Sequence, residues 1–229
     1  MSSQNKRTPP LLITIDGPAG AGKTTVSRSL AARLGFLYVD TGALYRAVAF
    51  EAVSRGVDTE KDDELDRLAS GLDLTFVHKD GGVRLLSGGK DISDAIRTPR
   101  ITMLASAVSA RPPARRALLD VQKSLGAKKA AVFEGRDMGT VVFPEADVKF
   151  FLTAELAARA MRRFDEFGDT ESQRFEDVLK DMQRRDENDS TRALAPLRAA
   201  SDAIIIDSTD MNPEAVVDAM AAHVYSRHG

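Results

Sequence analysis

Apolar and polar positions change their period several times along the chain, and each change marks an element. Leu11-Leu12-Ile13-Thr14-Ile15 is a short apolar, β-branched run that stops at Asp16-Gly17. After a glycine-rich loop, Val26, Leu30 and Leu34 recur at helical spacing up to Gly35, a helix stop. Phe36-Leu37-Tyr38-Val39 predicts a second strand, ending on Asp40-Thr41-Gly42 before a helical stretch over about residues 43–55. Ala130-Ala131-Val132-Phe133, residues 148–152 and Ala203-Ile204-Ile205-Ile206-Asp207 supply three more strands. Strands alternating with helices predict an α/β fold around a five-stranded parallel sheet.

Between the second and third of these strands the pattern differs. An acidic helical segment at 60–72 leads into short β-rich runs separated by Gly81-Gly82 and Gly88-Gly89, which predicts a small antiparallel β meander inserted over about residues 73–97. Residues 105–125 return to helix, broken near Pro112-Pro113. A basic helical region covers 154–192, and an amphipathic helix over 213–227 follows the last strand. The expected organisation is a disordered lead-in over residues 1–10 and a single domain over 11–229.

Composition narrows the function classes. The chain has 229 residues, with 32 Lys and Arg against 34 Asp and Glu, so no strong field suggests general nucleic-acid binding. The absence of cysteine excludes disulfides, thiolate zinc sites and a cysteine nucleophile, and fits a reducing compartment. The polar start lacks the apolar stretch of about 7–15 residues that a secretory signal needs. No run approaches the roughly 20 apolar residues of a membrane helix. A cytoplasmic protein without membrane or nucleic-acid partners, monomeric by default, is expected. His78, His223 and His228 have no mutual spacing suited to a metal or a triad and read as surface residues.

Gly17-Pro18-Ala19-Gly20-Ala21-Gly22-Lys23-Thr24-Thr25 matches G-x-x-x-x-G-K-[ST] in full, between a predicted strand and a predicted helix. Backbone N–H groups of such a loop point at an anion and the helix adds its positive dipole end. Lys23 is placed to reach the β- and γ-phosphates of ATP or GTP, and the Thr24 hydroxyl to ligate Mg²⁺. No Asn-Lys-x-Asp guanine reader is present. The strand at 148–152 ends in Thr153-Ala154, and the last strand ends in Asp207-Ser208, a single acid that reads as a cap or turn. These features favour a small transferase over a GTPase or a motor ATPase.

The acceptor must then be named by other residues. Transfer to a hydroxyl wants a carboxylate to take its proton, whereas transfer to a phosphate wants guanidiniums that hold two anions together. Arg46, Arg136, Arg159, Arg162, Arg163, Arg184, Arg185, Arg192 and Arg198 supply such groups. Arg46 and Arg136 follow predicted strand ends, where ligand crevices of open α/β sheets form. Arg159, Arg162 and Arg163 share one helix face, either as a lid over the phosphates or as a solvated face paired with Asp165, Glu166 and Asp169. Asp40 either caps the following helix or serves the acceptor, and Tyr45 could equally be core.

Three longer stretches carry a resemblance. Asp40-Thr41-Gly42-Ala43-Leu44-Tyr45-Arg46, Gly135-Arg136-Asp137-Met138-Gly139-Thr140-Val141-Val142-Phe143-Pro144 and Arg185-Asp186-Glu187-Asn188-Asp189-Ser190-Thr191-Arg192-Ala193-Leu194-Ala195-Pro196-Leu197 resemble the bacterial cytidylate kinases. The likeness runs through nearly the whole chain after Pro10. It implies a P-loop NTPase three-layer fold and transfer of the γ-phosphoryl of ATP to CMP or dCMP with Mg²⁺, in pyrimidine nucleotide metabolism. It further implies that the meander belongs to an enlarged monophosphate-binding region and that residues 154–169 form a short helical lid. By the same resemblance Arg46, Arg136 and Arg192 hold the acceptor phosphate, Asp189 and Arg185 the ribose, and Ser106, Arg115 and Asp137 the base. Asp40 and Thr41 lie near the acceptor or metal site and Tyr45 near the acceptor, and Lys23, Arg136, Arg192, Arg159 and Arg163 act on the transferring group. Arg111-Pro112-Pro113-Ala114-Arg115-Arg116 carries one extra arginine, so either Arg115 or Arg116 faces the base. A shikimate or sugar kinase with Asp40 as general base is the alternative, but such enzymes lack the long Gly135 to Pro144 signature. A nucleotide-gated binding module predicts slow, partner-dependent hydrolysis and no diphosphate product.

The base assignment has its own chemistry. Cytosine presents an N4 amino donor and an N3 acceptor, which match a carboxylate such as Asp137 and a guanidinium such as Arg115. Uracil reverses both, leaving buried polar groups unpaired at about 1–3 kcal/mol each. In an assay of ADP formation from Mg-ATP, CMP and dCMP are therefore expected to turn over well above UMP; equal rates with UMP would remove this base reader.

Overall fold

The five short apolar runs become the strands of one sheet in the computed structural model, which describes residues 9–79, 82–167 and 174–228. Expectations for residues 1–8, for Gly81 of the meander and for residues 168–169 of the lid lie outside the described residues. In chain order the elements are β1 (Leu12–Asp16), α1 (Lys23–Leu34), β2 (Leu37–Asp40), α2 (Thr41–Arg55), α3 (Asp62–Ser70), β3 (Leu74–Lys79), β4 (Gly82–Ser87), β5 (Lys90–Asp91), α4 (Pro99–Ser109), α5 (Pro112–Gly126), β6 (Ala131–Gly135), β7 (Val148–Thr153), α6 (Leu156–Phe167), α7 (Phe175–Thr191), β8 (Ile204–Asp207) and α8 (Pro213–His228). They divide into two compact units, one running to Val39 and resuming at Lys128, the other Asp40–Ala127.

In the first unit the parallel sheet has the order β2-β6-β1-β7-β8. β1 lies at its centre, paired with β6 on one side and β7 on the other, and all five of its residues are buried, Thr14 and Asp16 included. That position explains the unbroken apolar run in the sequence, because a central parallel strand is covered on both faces. β8 is one edge strand, β2 the other, and the residues of β8 alternate between half-buried and exposed. After β6 the chain makes a π-helical turn over Met138–Val142, which sequence periodicity does not disclose. Such turns are rare and concentrate at functional sites.

The second unit is built around Leu44, Val48, Leu65, Leu85, Ile96, Val108 and Leu118, all buried in one cluster. Its meander, β3-β4-β5, is antiparallel as expected. The unit is larger than the insertion anticipated over 73–97, because α2, α3, α4 and α5 pack into the same core. α4 begins six residues before the expected start at Ala105: the Thr98 hydroxyl caps it by accepting from the Ile101 N–H at 3.3 Å, with Pro99 in its first turn. Pro112 and Pro113 open α5 rather than kink a longer helix, as suits residues without an N–H to offer.

Burial, more than residue type, sets what each apolar side chain contributes. Leu44 is fully buried, whereas Ile205 on the edge strand β8 is 64% exposed. Leu44→Ala is expected to destabilise the protein by about 2–5 kcal/mol, and Ile205→Thr by no more than about 0.5 kcal/mol, both measured by urea unfolding.

Candidate functional site

The glycine-rich loop leaves β1 with no room for side chains. A Cβ on Gly17 would lie 1.9 Å from the Leu152 carbonyl oxygen of β7, and the residue has φ +149°. A Cβ on Gly20, at φ +74°, would lie 2.8 Å from the Met182 Cε and 2.9 Å from the Arg159 carbonyl oxygen. The loop is thus pressed against β7 on one side and against α6 and α7 on the other. The Ser208 hydroxyl, just past β8, lies 3.2 Å from the Ala21 carbonyl and 3.1 Å from that of Thr153. Arg159 is buried and donates to the carbonyls of Ala19 at 3.0 Å and Ala154 at 2.8 Å, while pairing with Asp186 at 2.7 Å.

At the N-terminus of α1 the Lys23 ammonium is buried and donates to the Pro18 carbonyl at 2.6 Å. Burial, followed by the charges of Arg136 and Arg185, pushes its pKa well below that of an ordinary lysine, with Glu134 and Asp16 acting in the opposite sense. Thr24 and Thr25 are exposed at the same helix end. The Thr24 hydroxyl donates to Glu134 Oε1 at 2.9 Å. A hydroxyl and a carboxylate, both oxygen donors, fit a hard divalent cation such as Mg²⁺, which keeps waters and phosphate oxygens as its other ligands. Among the described residues no cluster of three or more His, Cys, Asp or Glu forms a cage.

Glu134 is a strand-end acid that the sequence reading of β7 and β8 does not reach, because it closes β6. The signal was present in Val132-Phe133-Glu134-Gly135, an apolar run closed by an acid next to glycine. Asp207, by contrast, caps its own turn, accepting from the Thr209 N–H at 2.9 Å and hydroxyl at 2.6 Å. Asp16 was also missed. It is buried at the end of β1, and its carboxylate accepts from the backbone N–H groups of Met138 and Gly139.

The acceptor candidates of the first unit are drawn together. Arg136 Nε donates to Asp189 Oδ2 at 3.0 Å, and its Nη1 to the Gly135 carbonyl at 3.0 Å. Arg192 faces Asp137 at 3.5 Å, with both side chains almost fully buried. Arg192 Nε also donates to the carbonyl of Ala195, a residue held at φ +49°. Asp189 is buried and Arg185 half-buried on α7. Of the basic face on α6, Arg163 pairs with Glu166 at 2.6 Å, the arrangement of a solvated face. Arg162 instead donates to the Ser208 and Thr209 carbonyls, so the three arginines occupy different environments. Asp169 lies outside the described residues. His223 is half-buried with its ring edge-on to Phe150 at 6.0 Å, not on the surface as expected.

In the second unit Asp40 both caps α2, accepting from the Ala43 N–H at 3.0 Å, and pairs with Arg46 at 2.6 Å. Arg46 Nε is buried without a hydrogen-bond partner. Thr41 and Tyr45 are buried, Tyr45 within the apolar cluster. The Arg115 guanidinium lies 5.9 Å from the centroid of the Tyr45 ring and donates to the Ser109 carbonyl at 3.1 Å. Arg116 is exposed and paired with Asp66 at 3.0 Å, so Arg115 is the arginine held against an aromatic face. Ser106 is half-buried on α4.

Burial pushes the Asp16 carboxyl up to about 6, with the Asp137 charge adding to the rise and the Gly139 and Met138 N–H groups and Lys23 opposing it. A carboxyl with a raised folded pKa favours folding below its unfolded value, near 3.8, and that contribution is lost as pH rises through about 6. Relative to Asp16→Asn, the nucleotide-free wild type is therefore expected to lose about 3 kcal/mol of stability across that window. Chemical unfolding of both proteins at pH 4 and pH 7 measures the difference, and a pH-independent difference would contradict the assignment.

The cytidylate kinase family profile matches residues 13–226. Cytidylate kinase of Geobacter sp. (strain M21) is 45% identical over 218 residues, covering 95% of this chain and 94% of the relative. That of Pseudomonas aeruginosa (strain UCBPP-PA14) is 46% identical, covering 93% and 94%. A crystal structure of a gluconokinase from Sinorhizobium meliloti 1021 superposes with TM-score 0.50 at 15% identity, covering 97% of this chain and 95% of that one, a likeness of fold alone. The loop pressed against β7, the arginines set on buried acids and this end-to-end similarity agree: the chain belongs to the cytidylate kinase family.

Proposed function

We propose that the protein is an ATP-dependent nucleoside monophosphate kinase that converts CMP or dCMP to the diphosphate. The observation that carries the proposal is the set of guanidiniums around the P-loop lysine: Arg136 held on Asp189, Arg192 facing Asp137, and Arg136 and Arg185 near enough to act on Lys23. An acceptor phosphate is already an oxyanion and needs no general base. Its obstacle is repulsion from the γ-phosphate, which guanidiniums and the lysine oppose.

In this reading the backbone from Gly17 to Thr25 cradles the ATP phosphates and Lys23 bridges the β- and γ-oxygens. An acceptor phosphate oxygen bonds to the γ-phosphorus as the bond to the bridging β–γ oxygen breaks, releasing ADP. Thr24, with Glu134 beside it, would hold the Mg²⁺ that comes with ATP, and that ion would supply charge neutralisation at the phosphates. Arg46, Arg136 and Arg192 take the acceptor phosphate, Asp189 and Arg185 the ribose, and Ser106, Arg115 and Asp137 the base, with Asp40, Thr41 and Tyr45 supporting them. Arg159 and Arg163 are assigned to the lid over the transferring group. Among the described residues no helix is long and apolar enough to cross a membrane. A monomer in the cytoplasm, acting on nucleotides and not on nucleic acid, completes the proposal.

The test offers Mg-ATP with CMP, dCMP, UMP, AMP, shikimate and gluconate separately, with the product identified by phosphorus NMR. CDP and dCDP are expected. Arg192→Lys keeps the charge but loses the two-pronged contact, and is expected to lower kcat/KM for CMP by about 10–100-fold. Phosphorylation of a hydroxyl acceptor, with none of CMP, would overturn the proposal.

A further inference from the structure

Asp16 has no role in the scheme above, yet it is the carboxylate most closely built into the turn that carries Arg136 and Asp137. Its Oδ1 accepts from the Met138 N–H at 2.9 Å and its Oδ2 from the Gly139 N–H at 2.7 Å, all of them buried. The turn it holds is the π-helical one, in which the Val142 N–H reaches the Asp137 carbonyl at 3.2 Å and the Phe143 N–H the Met138 carbonyl at 2.7 Å. Single π-helical turns are rare, and this one is fastened from outside by two residues of β1. Asp16 grips its first two N–H groups, and Thr14 closes the space beneath, since a Cβ on Gly139 would come within 2.9 Å of Thr14 Oγ1.

This arrangement fixes the backbone immediately after Arg136 and Asp137. Arg136 is then set against Asp189, and Asp137 against Arg192. We infer that Asp16 is a positioning residue for the acceptor nucleotide, the strand β1 anchor that sets the Arg136-Asp137 turn to receive the monophosphate and read its base. The inference rests on the proposed function. It also separates two tasks of one strand end: the chain beyond Asp16 forms the donor loop, while the Asp16 side chain serves the acceptor.

The test is a comparison of Michaelis constants. Asp16→Asn preserves shape but offers one acceptor oxygen, turning an amide donor toward the second N–H. It is expected to raise KM for CMP by about tenfold, with a clearly smaller change in KM for ATP through the lost Asp16 charge near Lys23, and to narrow the preference for CMP over UMP. Gly139→Ala reaches the same turn from its other side and is expected to raise KM for CMP in the same selective way. Adding Thr14→Ala removes the closest contact and should restore KM in part, because Thr14 Oγ1 has no hydrogen-bond partner to lose while the Lys149 side chain still lies 3.2 Å from the new Cβ. An unchanged KM for CMP in Asp16→Asn, or equal rises for CMP and ATP, would overturn the inference. If the wild type itself does not phosphorylate CMP, the proposed function fails first; if it does and Asp16→Asn behaves identically, only this inference fails.

Discussion

Lys23 sits buried at the start of α1 with the charges of Arg136 and Arg185 acting on it, and that concentration of positive charge constrains everything around it. Like charges in a region of low polarisability repel far more strongly than in water. The chain answers with carboxylates placed one by one: Glu134 and Asp16 at the ends of β6 and β1, Asp189 under Arg136 and Asp137 beside Arg192. Each acid also fixes a direction. Arg136, held at its Nε by Asp189, keeps further N–H donors beyond that contact, which a five-donor guanidinium permits and an ammonium does not.

That electrostatic arrangement depends on backbone placement. The strands β6, β1 and β7 are neighbours, and their ends carry Glu134, Asp16 and the Leu152 carbonyl that presses on Gly17. Ser208, one residue beyond β8, adds that edge strand to the same assembly through its reach to Ala21 and Thr153. Arg159 brings in α6 and α7 by bonding the Ala19 carbonyl and pairing with Asp186. In this state Arg159 is therefore a brace of the donor loop. A role over the transferring phosphoryl group, as assigned to it in the proposal, would require it to exchange carbonyl and carboxylate partners for phosphate oxygens, an exchange of like for like in hydrogen-bonding terms.

Much of this was legible in the sequence, for physical reasons that can be named. β1 and β6 announced themselves because buried parallel strands are apolar without interruption, and the donor loop because two glycines, a lysine and a threonine at fixed spacing serve one geometry. α4 was read too short because its first turn depends on the Thr98 cap and Pro99, local signals that apolar periodicity ignores. Glu134 and Asp16 were passed over for a shared reason: each is a single acid closing an apolar strand, and only the lateral order of strands shows what it faces. The π-turn after β6 could not be read at all, since no side-chain period distinguishes it from a loop.

The same distinction separates the two acids by chemistry. Glu134 accepts from an exposed threonine hydroxyl, a partner that can turn toward a cation when one arrives. Asp16 accepts from two buried backbone N–H groups, partners that cannot leave without unwinding the turn they belong to. An acid on a rotatable hydroxyl suits a group that comes and goes with the substrate, whereas an acid on fixed N–H groups suits geometry that must persist between turnovers. Burial makes the second kind expensive, since it pushes the Asp16 carboxyl up toward the protonated form. The two backbone N–H groups it satisfies offset that cost, since an apolar residue at the same place in the central strand would leave both buried and unpaired.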